Sequence, residues 1–251
     1  MLLKEKLAKN EKIAGLMMRI VRNPANCYLA KNAGLDFVMY DCEHSNYNME
    51  TLHDMFITGN ALGLGGFVRV PNGTKEWISR VLDAGATGVM VPMIETREQA
   101  ENLVHYAKYQ PIGGRGYTGG CAHTNYLGGK HAEIMEAQNN KVIAIAQIET
   151  VKALENIEDI ASVEGIDALL IGPNDLSVSL GIPGDMMNPI ELEAIAKVAK
   201  ACHKYGKAFG LHAGAALLEK FADDLTLVMC GSDTDILTNG YANTAKTIAN
   251  L

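Results

Sequence analysis

Short runs of Val, Ile, Leu, Met and Phe recur along the chain, and within each run consecutive positions are apolar rather than alternate ones. Eight runs stand out: Ile13–Met18, Phe37–Tyr40, Gly66–Val70, Gly88–Val91, Val142–Ile148, Ala168–Ile171, Ala208–Leu211 and Leu225–Cys230. Each is bounded by Gly, Pro, Asp or Asn, as strands buried on both faces of a parallel sheet are. The stretches between them carry helical periodicity. In TKEWISRVLDAG, residues Trp77, Ile78, Val81 and Leu82 repeat at helical spacing ahead of Gly85. TREQAENLVHYAKY opens on Thr96 as an N-cap with acidic residues in its first turn. NPIELEAIAKVAKACHKYG starts on Pro189, gathers Lys and His late and stops at Gly206.

Eight strands alternating with helices over 251 residues predict an α/β fold of the (β/α)8 barrel (TIM barrel) type, with residues 1–251 as a single domain. A doubly wound open sheet is the runner-up. It normally shows a glycine-rich turn after its first strand, and MMRIVRNPAN has no such glycines. No linker, low-complexity tract or internal repeat interrupts the pattern.

Charge and cysteine usage narrow the function classes. The 22 Lys and Arg against 29 Asp and Glu give a net charge of −7 with no basic cluster, which argues against nucleic-acid or anionic-membrane partners. MLLKEKLAKNEK reads as an amphipathic helix rather than a signal peptide, and no apolar run approaches the roughly 20 residues of a membrane helix. Five scattered cysteines (Cys27, Cys42, Cys121, Cys202, Cys230) without CxxC pairs fit reduced thiols and a cytoplasmic location. The glycine-rich stretch at residues 110–129, QPIGGRGYTGGCAHTNYLGG, is a lid, a partner-binding arm or a disordered segment. It does not run from a strand into a helix and has no GxxxxGK[ST], so phosphate binding is disfavoured.

In a barrel of this type the chemistry sits at the carboxyl ends of the strands. There the chain places Asp41-Cys42-Glu43-His44, Arg69-Val70-Pro71, Gln147 with Glu149, Gly172-Pro173-Asn174-Asp175, and Gly231-Ser232-Asp233. Glu149 and Asp175 close neighbouring strands. Two carboxylates facing one another either repel, with one pKa raised, or share a cation, and an all-oxygen set suits Mg²⁺ or Mn²⁺ better than zinc. The competing reading makes both of them helix caps. Gln147, two residues before Glu149, projects to the same side of its strand.

His44 is either a solvated loop histidine or a base whose tautomer is fixed by Asp41, with Glu43 secondary. Arg69, between Val68 and Val70 at a buried strand end, faces a ligand carboxylate or an ordinary salt-bridge partner. Cys42, flanked by two carboxylates, is a poor nucleophile. Cys230 reads as core, and His212 as core or support at the edge of the mouth. His123 is a lid candidate, while His53, His105, His131 and His203 read as solvated helix positions. No strand end carries a lysine, since Lys75 and Lys152 already belong to the following helices, so Schiff-base chemistry is disfavoured.

The segments GLDFVMYDCEHSNYNMETL, RVPNGTKEWISRVLDAGATGVMVPMIETREQA, YQPIGGRGYTGG, AIAQIET and VEGIDALLIGPNDLSVSLGIPG closely resemble the HpcH/HpaI aldolases, the metal-dependent class II pyruvate aldolases. The resemblance runs over nearly the whole chain. It implies a homohexameric barrel whose last helix is exchanged between subunits. It implies reversible cleavage of a 4-hydroxy-2-oxo acid to pyruvate and an aldehyde through an enolate stabilised by Mg²⁺ or Mn²⁺, with Co²⁺ also admitted. By resemblance, Glu149 and Asp175 are the metal ligands, and His44 with Asp41 is the acid–base machinery. Arg69 contacts the 2-oxo acid, the backbone from Gly172 through Pro173 and Asn174 to Asp175 helps hold its carboxylate, and Gln147 supports the site. Oxaloacetate decarboxylation through the same enolate, or a barrel that binds a metabolite without turnover, are the alternatives. Cys42 and Gln110 depart from the Gly and Pro frequent in that family. The segment after Gly119 is unusual, and Met17 and Leu211-His212 lie where members vary, so the aldehyde is left open.

Overall fold

A computed structural model describes all residues of the chain, 1–251. Eight parallel strands close into a barrel in chain order: β1 (Ile13–Met18), β2 (Phe37–Asp41), β3 (Gly65–Arg69), β4 (Gly88–Val91), β5 (Ile143–Ile148), β6 (Ala168–Ile171), β7 (Ala208–His212) and β8 (Leu227–Ser232). The closure is made by β1, which pairs with both β2 and β8. Helices connect successive strands around the outside, giving the expected (β/α)8 barrel.

Three strands keep their expected limits, β2, β3, β5 and β7 differ by one residue at one end or both, and β8 departs by two. β8 starts at Leu227 rather than Leu225, because Leu225 closes the preceding turn by donating its amide to Phe221 O. At its other end β8 runs on to Ser232 through Gly231, which has a φ of +68°, where the pairing with β1 shifts register. Cys230, read as core from the apolar run, is consequently exposed at the mouth.

Side chains alternate between the two faces of a strand, and here the alternation sorts the chain into two cores. One set points into the barrel: Met17 on β1, Phe37 and Met39 on β2, Phe67 on β3, Met90 on β4, Ile143 and Ile145 on β5, Leu170 on β6 and Met229 on β8. The other set, including Val38, Tyr40, Val68, Val89, Ala144 and Leu169, packs under the helices. Phe37 and Phe67 stack at 4.4 Å within the barrel. They fit because their neighbours are glycines: a Cβ on Gly15 would lie 2.5 Å from the Phe37 ring, and one on Gly88 2.6 Å from the Phe67 ring.

The amino-terminal end of the barrel is plugged. Leu7 of the helix Leu3–Ala8 joins the interior cluster and Leu3 packs against it. Ion pairs Lys4–Asp167 (2.9 Å), Lys6–Asp36 (2.7 Å) and Lys108–Asp167 (2.8 Å) ring this end. Lys108, fully buried, is therefore at the plugged end and not in the mouth.

The glycine-rich stretch joins the helix Arg97–Ala107 to the helix His131–Lys141, which leads into the start of β5, with a short 3-10 turn at Ala122–Thr124. It lies at the plugged end, where Asn125 shares a cavity with Leu3, Gly65 and Thr87. That position corrects the lid reading, since a segment entering the start of a strand is a barrel's length from the mouth. His123, the proposed lid residue, is buried with both ring nitrogens lacking partners. His105, His131 and His203 are exposed and His53 half-buried, the last within 2.6 Å of the Tyr126 hydroxyl. No helix is long and apolar enough to cross a membrane.

Candidate active site

The inward parity that fills the barrel with apolar side chains continues past the strand ends as polar ones. Phe37 and Met39 are followed by Asp41, Phe67 by Arg69, Ile143 and Ile145 by Gln147 and Glu149, and Met17 by Arg19. With the plugged end closed, these residues look into a cavity of about 540 Å³ at the mouth. Its lining includes Arg19, His44, Arg69, Gln147, Glu149, the run Gly172 to Asp175, His212 and Ser232. Of the residues singled out from the sequence, His44, Arg69, Gln147, Glu149, Gly172, Pro173, Asn174 and Asp175 thus reach one cavity. Asp41 lies just beneath it, wholly buried.

Glu149 is 2 % exposed and held from two sides. Its Oε2 accepts the Met93 amide at 3.1 Å and its Oε1 accepts Gln147 Nε2 at 2.5 Å. Met93 follows β4 with a φ of +54°, an uncommon conformation for a residue with a side chain, and this is what turns its N–H toward the carboxylate. A Cβ on Gly172 would fall 2.2 Å from Glu149 Oε1, so the glycine after β6 makes room for the carboxylate. Burial pushes the Glu149 carboxyl up to about 7, the Met93 amide opposes this, and the charges of Asp175 and Glu43 add to it. The capping alternative for Glu149 fails, because Thr150 caps the next helix through its own hydroxyl, which accepts the Ala153 amide at 3.1 Å. Asp175 is exposed in the first turn of the helix Pro173–Ser179, whose N-cap, Gly172, has no side chain to cap with.

Across the mouth the expected pairing of Asp41 with the His44 ring is corrected. Asp41 faces Arg69 directly in the β2–β3 register. Its two oxygens accept Arg69 Nε at 3.0 Å and Nη2 at 2.8 Å, a bidentate bond. Asp41 also accepts the backbone amides of Glu43 and His44, so it shapes the loop that carries the imidazole rather than touching the ring. The carboxylate nearest the ring is that of Glu43, with Oε2 3.7 Å from His44 Nε2 and 3.2 Å from Arg69 Nη1. Burial pushes Asp41 up, but the Arg69 bonds outweigh it and leave the carboxyl below its usual range. Glu43 goes the other way: burial raises it and Arg69 only partly offsets that. Cys42 is buried, and its thiol is pushed up to about 12 by that burial and by Asp41, which leaves it unsuited to nucleophilic work.

Sequence reasoning passed over two features, Met93 and Arg19, and misplaced a third, Cys230. Met93 contributes only a backbone amide in an unusual conformation, and nothing in VPMIET marks it. Cys230 was displaced by the two-residue shift of β8. Arg19 was legible in principle, as the first charged residue after an apolar strand, the same signal that marks Asp41 and Arg69.

The fold and the mouth together define a (β/α)8 barrel with an acidic site at the carboxyl ends of its strands, ringed by two arginines and two histidines. Residues 20–239 match the model of the HpcH/HpaI aldolase/citrate lyase family, and the chain belongs to that family. It is 33 % identical over 247 residues to the 4-hydroxy-4-methyl-2-oxoglutarate aldolase of Hapsidospora irregularis, covering 94 % of this chain and 90 % of that protein. It is 34 % identical over 212 residues to the 2-keto-3-deoxy-L-rhamnonate aldolase of Klebsiella pneumoniae, covering 84 % and 79 %. The crystal structure of an HpcH/HpaI aldolase from Desulfitobacterium hafniense superposes with a TM-score of 0.95 at 33 % identity, covering 100 % of this chain and 98 % of that one.

Proposed function

We propose that this barrel is a divalent-metal-dependent class II aldolase that reversibly cleaves a 4-hydroxy-2-oxo acid to pyruvate and an aldehyde. The observation that carries the reading is the placement of Glu149 and Asp175 at the ends of adjacent strands in one cavity, with the Glu149 carboxyl raised to about 7 by burial and by its neighbours' charge. The names of its aldolase relatives support it.

The residues present fit a dication. Asp41, Glu43, Glu149 and Asp175 gather at the mouth with the guanidinium groups of Arg69 and Arg19, so four carboxyl groups stand against two cations and an anionic substrate is better received where further positive charge is added. Glu149 and Asp175 would hold the ion, and their all-oxygen character favours Mg²⁺ or Mn²⁺, with Co²⁺ a further candidate. When bound, such an ion supplies Lewis-acid stabilisation of negative charge developing on a keto oxygen. Gln147 fixes the Glu149 carboxylate from beside it. Arg69, immobilised by Asp41 and Glu43, keeps a positive group at the cavity wall and faces the 2-oxo acid. The backbone from Gly172 through Pro173 and Asn174 to Asp175 lines the place for the acid's carboxylate. His44, with a mostly exposed ring beside Glu43, takes the proton of the 4-hydroxyl as the C3–C4 bond breaks and the aldehyde carbonyl forms. The electron pair of that bond stays on the pyruvate fragment, whose methyl carbon is then protonated.

Residues 1–251 act as one barrel unit in the cytoplasm, and as a homohexamer with the last helix exchanged. The helix Asp233–Ala249 supports this last point: only Asp233 among its 17 residues is buried, and Ile236, Tyr241 and Ile248 stand exposed. The catalytic reading is tested with purified protein and Mn²⁺. Pyruvate should form from at least one 4-hydroxy-2-oxo acid, pyruvate methyl protons should exchange in D₂O, and Glu149→Gln should abolish both. Absence of both signals in the wild type overturns the reading.

A further inference from the structure

We propose that Arg19 reads a carboxylate on the far end of the substrate, so that the preferred 4-hydroxy-2-oxo acids are dicarboxylates that release an acid-bearing carbonyl compound. The inference rests on the aldolase reading above and specifies the part of the site that reading leaves open.

Two cationic side chains of Lys or Arg type line the cavity, Arg19 and Arg69. Arg69 is committed: Nε and Nη2 donate to Asp41, and Nη1 lies 3.2 Å from Glu43. Arg19 is not. Its guanidinium makes no hydrogen bond within the fold, and its Nε is buried without a partner. The nearest carboxylate oxygen is Asp41 Oδ2 at 3.6 Å, beyond hydrogen-bond reach and already taken by Arg69. The Arg19 side chain is 42 % exposed, so its guanidinium stands at the cavity with its Nε unsatisfied and its other N–H groups free to meet an arriving acceptor.

The backbone that carries Arg19 is fixed. The buried carboxylate of Asp233 accepts the amides of Arg19, Ile20 and Val21, each at 2.9 Å, and so clamps the turn after β1 to the start of the last helix. This is a built position for the arginine, since a buried carboxylate is spent on holding three consecutive amides in place.

Topology sets what Arg19 can meet. In an eight-stranded barrel β1 lies opposite β5, so Arg19 faces Glu149 across the mouth. A 2-oxo acid seated at the β5–β6 side extends its carbon chain away from that pair, toward the wall built by β1, β7 and β8. On that wall His212 Nε2 donates to Gly231 O at 3.1 Å, and burial holds the ring's pKa below its usual range. Asp235 also lines the cavity, engaged by the Ser232 hydroxyl at 2.7 Å. Arg19 is the one group on that side with both charge and unfilled donors. A planar guanidinium with free N–H groups is matched to a carboxylate.

The test uses equilibrium binding of two uncleavable 2-oxo acids that differ only at the far end, 2-oxoglutarate and 2-oxopentanoate, by calorimetry on the metal-loaded protein. The wild type should bind 2-oxoglutarate at least about tenfold more tightly, the ratio expected when one charge-assisted pair is made. In Arg19→Gln that ratio should fall to about threefold or less, and Arg19→Lys should retain part of it. In turnover, the Arg19→Gln loss should fall on KM for dicarboxylate substrates more than on kcat. A wild type that does not discriminate between the two acids, or an Arg19→Gln variant that keeps the full ratio, overturns the proposal. Pyruvate methyl exchange in D₂O reports separately on the aldolase reading, because it needs no far carboxylate. Loss of exchange with the binding ratio intact sinks that reading and leaves Arg19's role standing.

Discussion

Replacing Glu149 by Gln should separate the electrostatic account of this site from a merely steric one. The wild-type carboxyl titrates near 7 instead of its ordinary 4.5, chiefly because it is buried. The folded state therefore holds its proton more tightly than the unfolded chain does. The stabilisation this represents is complete below about 4.5 and is lost as the pH rises through about 7. The gap corresponds to about 3 kcal/mol, an upper bound because Asp175 and Glu43 share the titration. Gln is isosteric and keeps the hydrogen bonds: the unpartnered Gln147 Oε1 can turn to meet the new amide, while the Met93 amide still finds a carbonyl. Metal-free Glu149→Gln should thus match the wild type near pH 4.5 and exceed it near pH 8 by up to about 3 kcal/mol, or about 6–12 °C in Tm for a domain of this size. Denaturant and thermal unfolding in the presence of chelator measure it. Excess Mn²⁺ at pH 8 should then raise the wild type and not the variant. A difference between the two proteins that stays constant from pH 4.5 to 8 would refute the assignment of the raised carboxyl to Glu149.

Three further outcomes follow from the geometry. Asp41→Asn removes the bidentate partner of a buried guanidinium and should cost about 3–5 kcal/mol in denaturant unfolding, whereas Glu43→Gln, next to the exposed imidazole, should leave stability within about 1 kcal/mol and lower kcat. If both variants behave alike, the division of labour between the two carboxylates is wrong. Gly172→Ala drives a methyl group into Glu149 Oε1 and Gln147 Nε2, and should weaken Mn²⁺ binding by about tenfold or more while costing about 1–3 kcal/mol, read by calorimetry and unfolding. Thiol reagents at pH 8 should label exposed Cys230 quickly and leave buried Cys42, with its thiol near 12, unmodified until the protein unfolds.

What could be read from the chain and what could not divides along a physical line. The barrel was legible because strands buried on both faces write themselves as continuous apolar runs, and Glu149 was legible because AIAQIET ends such a run on polar residues of one parity. The Asp41–Arg69 bond was not, since it depends on β2 and β3 pairing with those two residues opposite each other, and register is a property of two strands together. The alternative pairing with His44 drew on closeness in sequence, but the backbone turns there and presents amides to Asp41 instead. His123 misled in the opposite sense: glycine-rich surroundings suggested an exposed arm, yet the ring is buried at the plugged end.

The same parity explains why this barrel has a cavity at all. Inward positions form successive layers along the axis. The lowest holds Phe37 and Ile143 closed over by Leu7, and the next holds Met17, Met39, Phe67, Met90, Ile145, Leu170 and Met229. These layers are filled by large apolar groups, with Gly15 and Gly88 admitting the aromatic pair. The third layer has Arg19, Asp41, Arg69, Gln147, Gly172 and His212 at the equivalent positions. Asp41 and Arg69 bond sideways to each other, Gln147 to Glu149 and His212 to the Gly231 carbonyl, and Gly172 contributes no side chain, so the axis above Leu170 and Met90 is left open. Substrate room and catalytic charge therefore arise from one change in the chain, the switch from apolar to polar at inward positions after two filled layers. The hydrogen bonds that empty the axis are also those that fix Glu149 and Arg69 in place. A substitution that loosens either one will shrink or distort the cavity as well as change its charge.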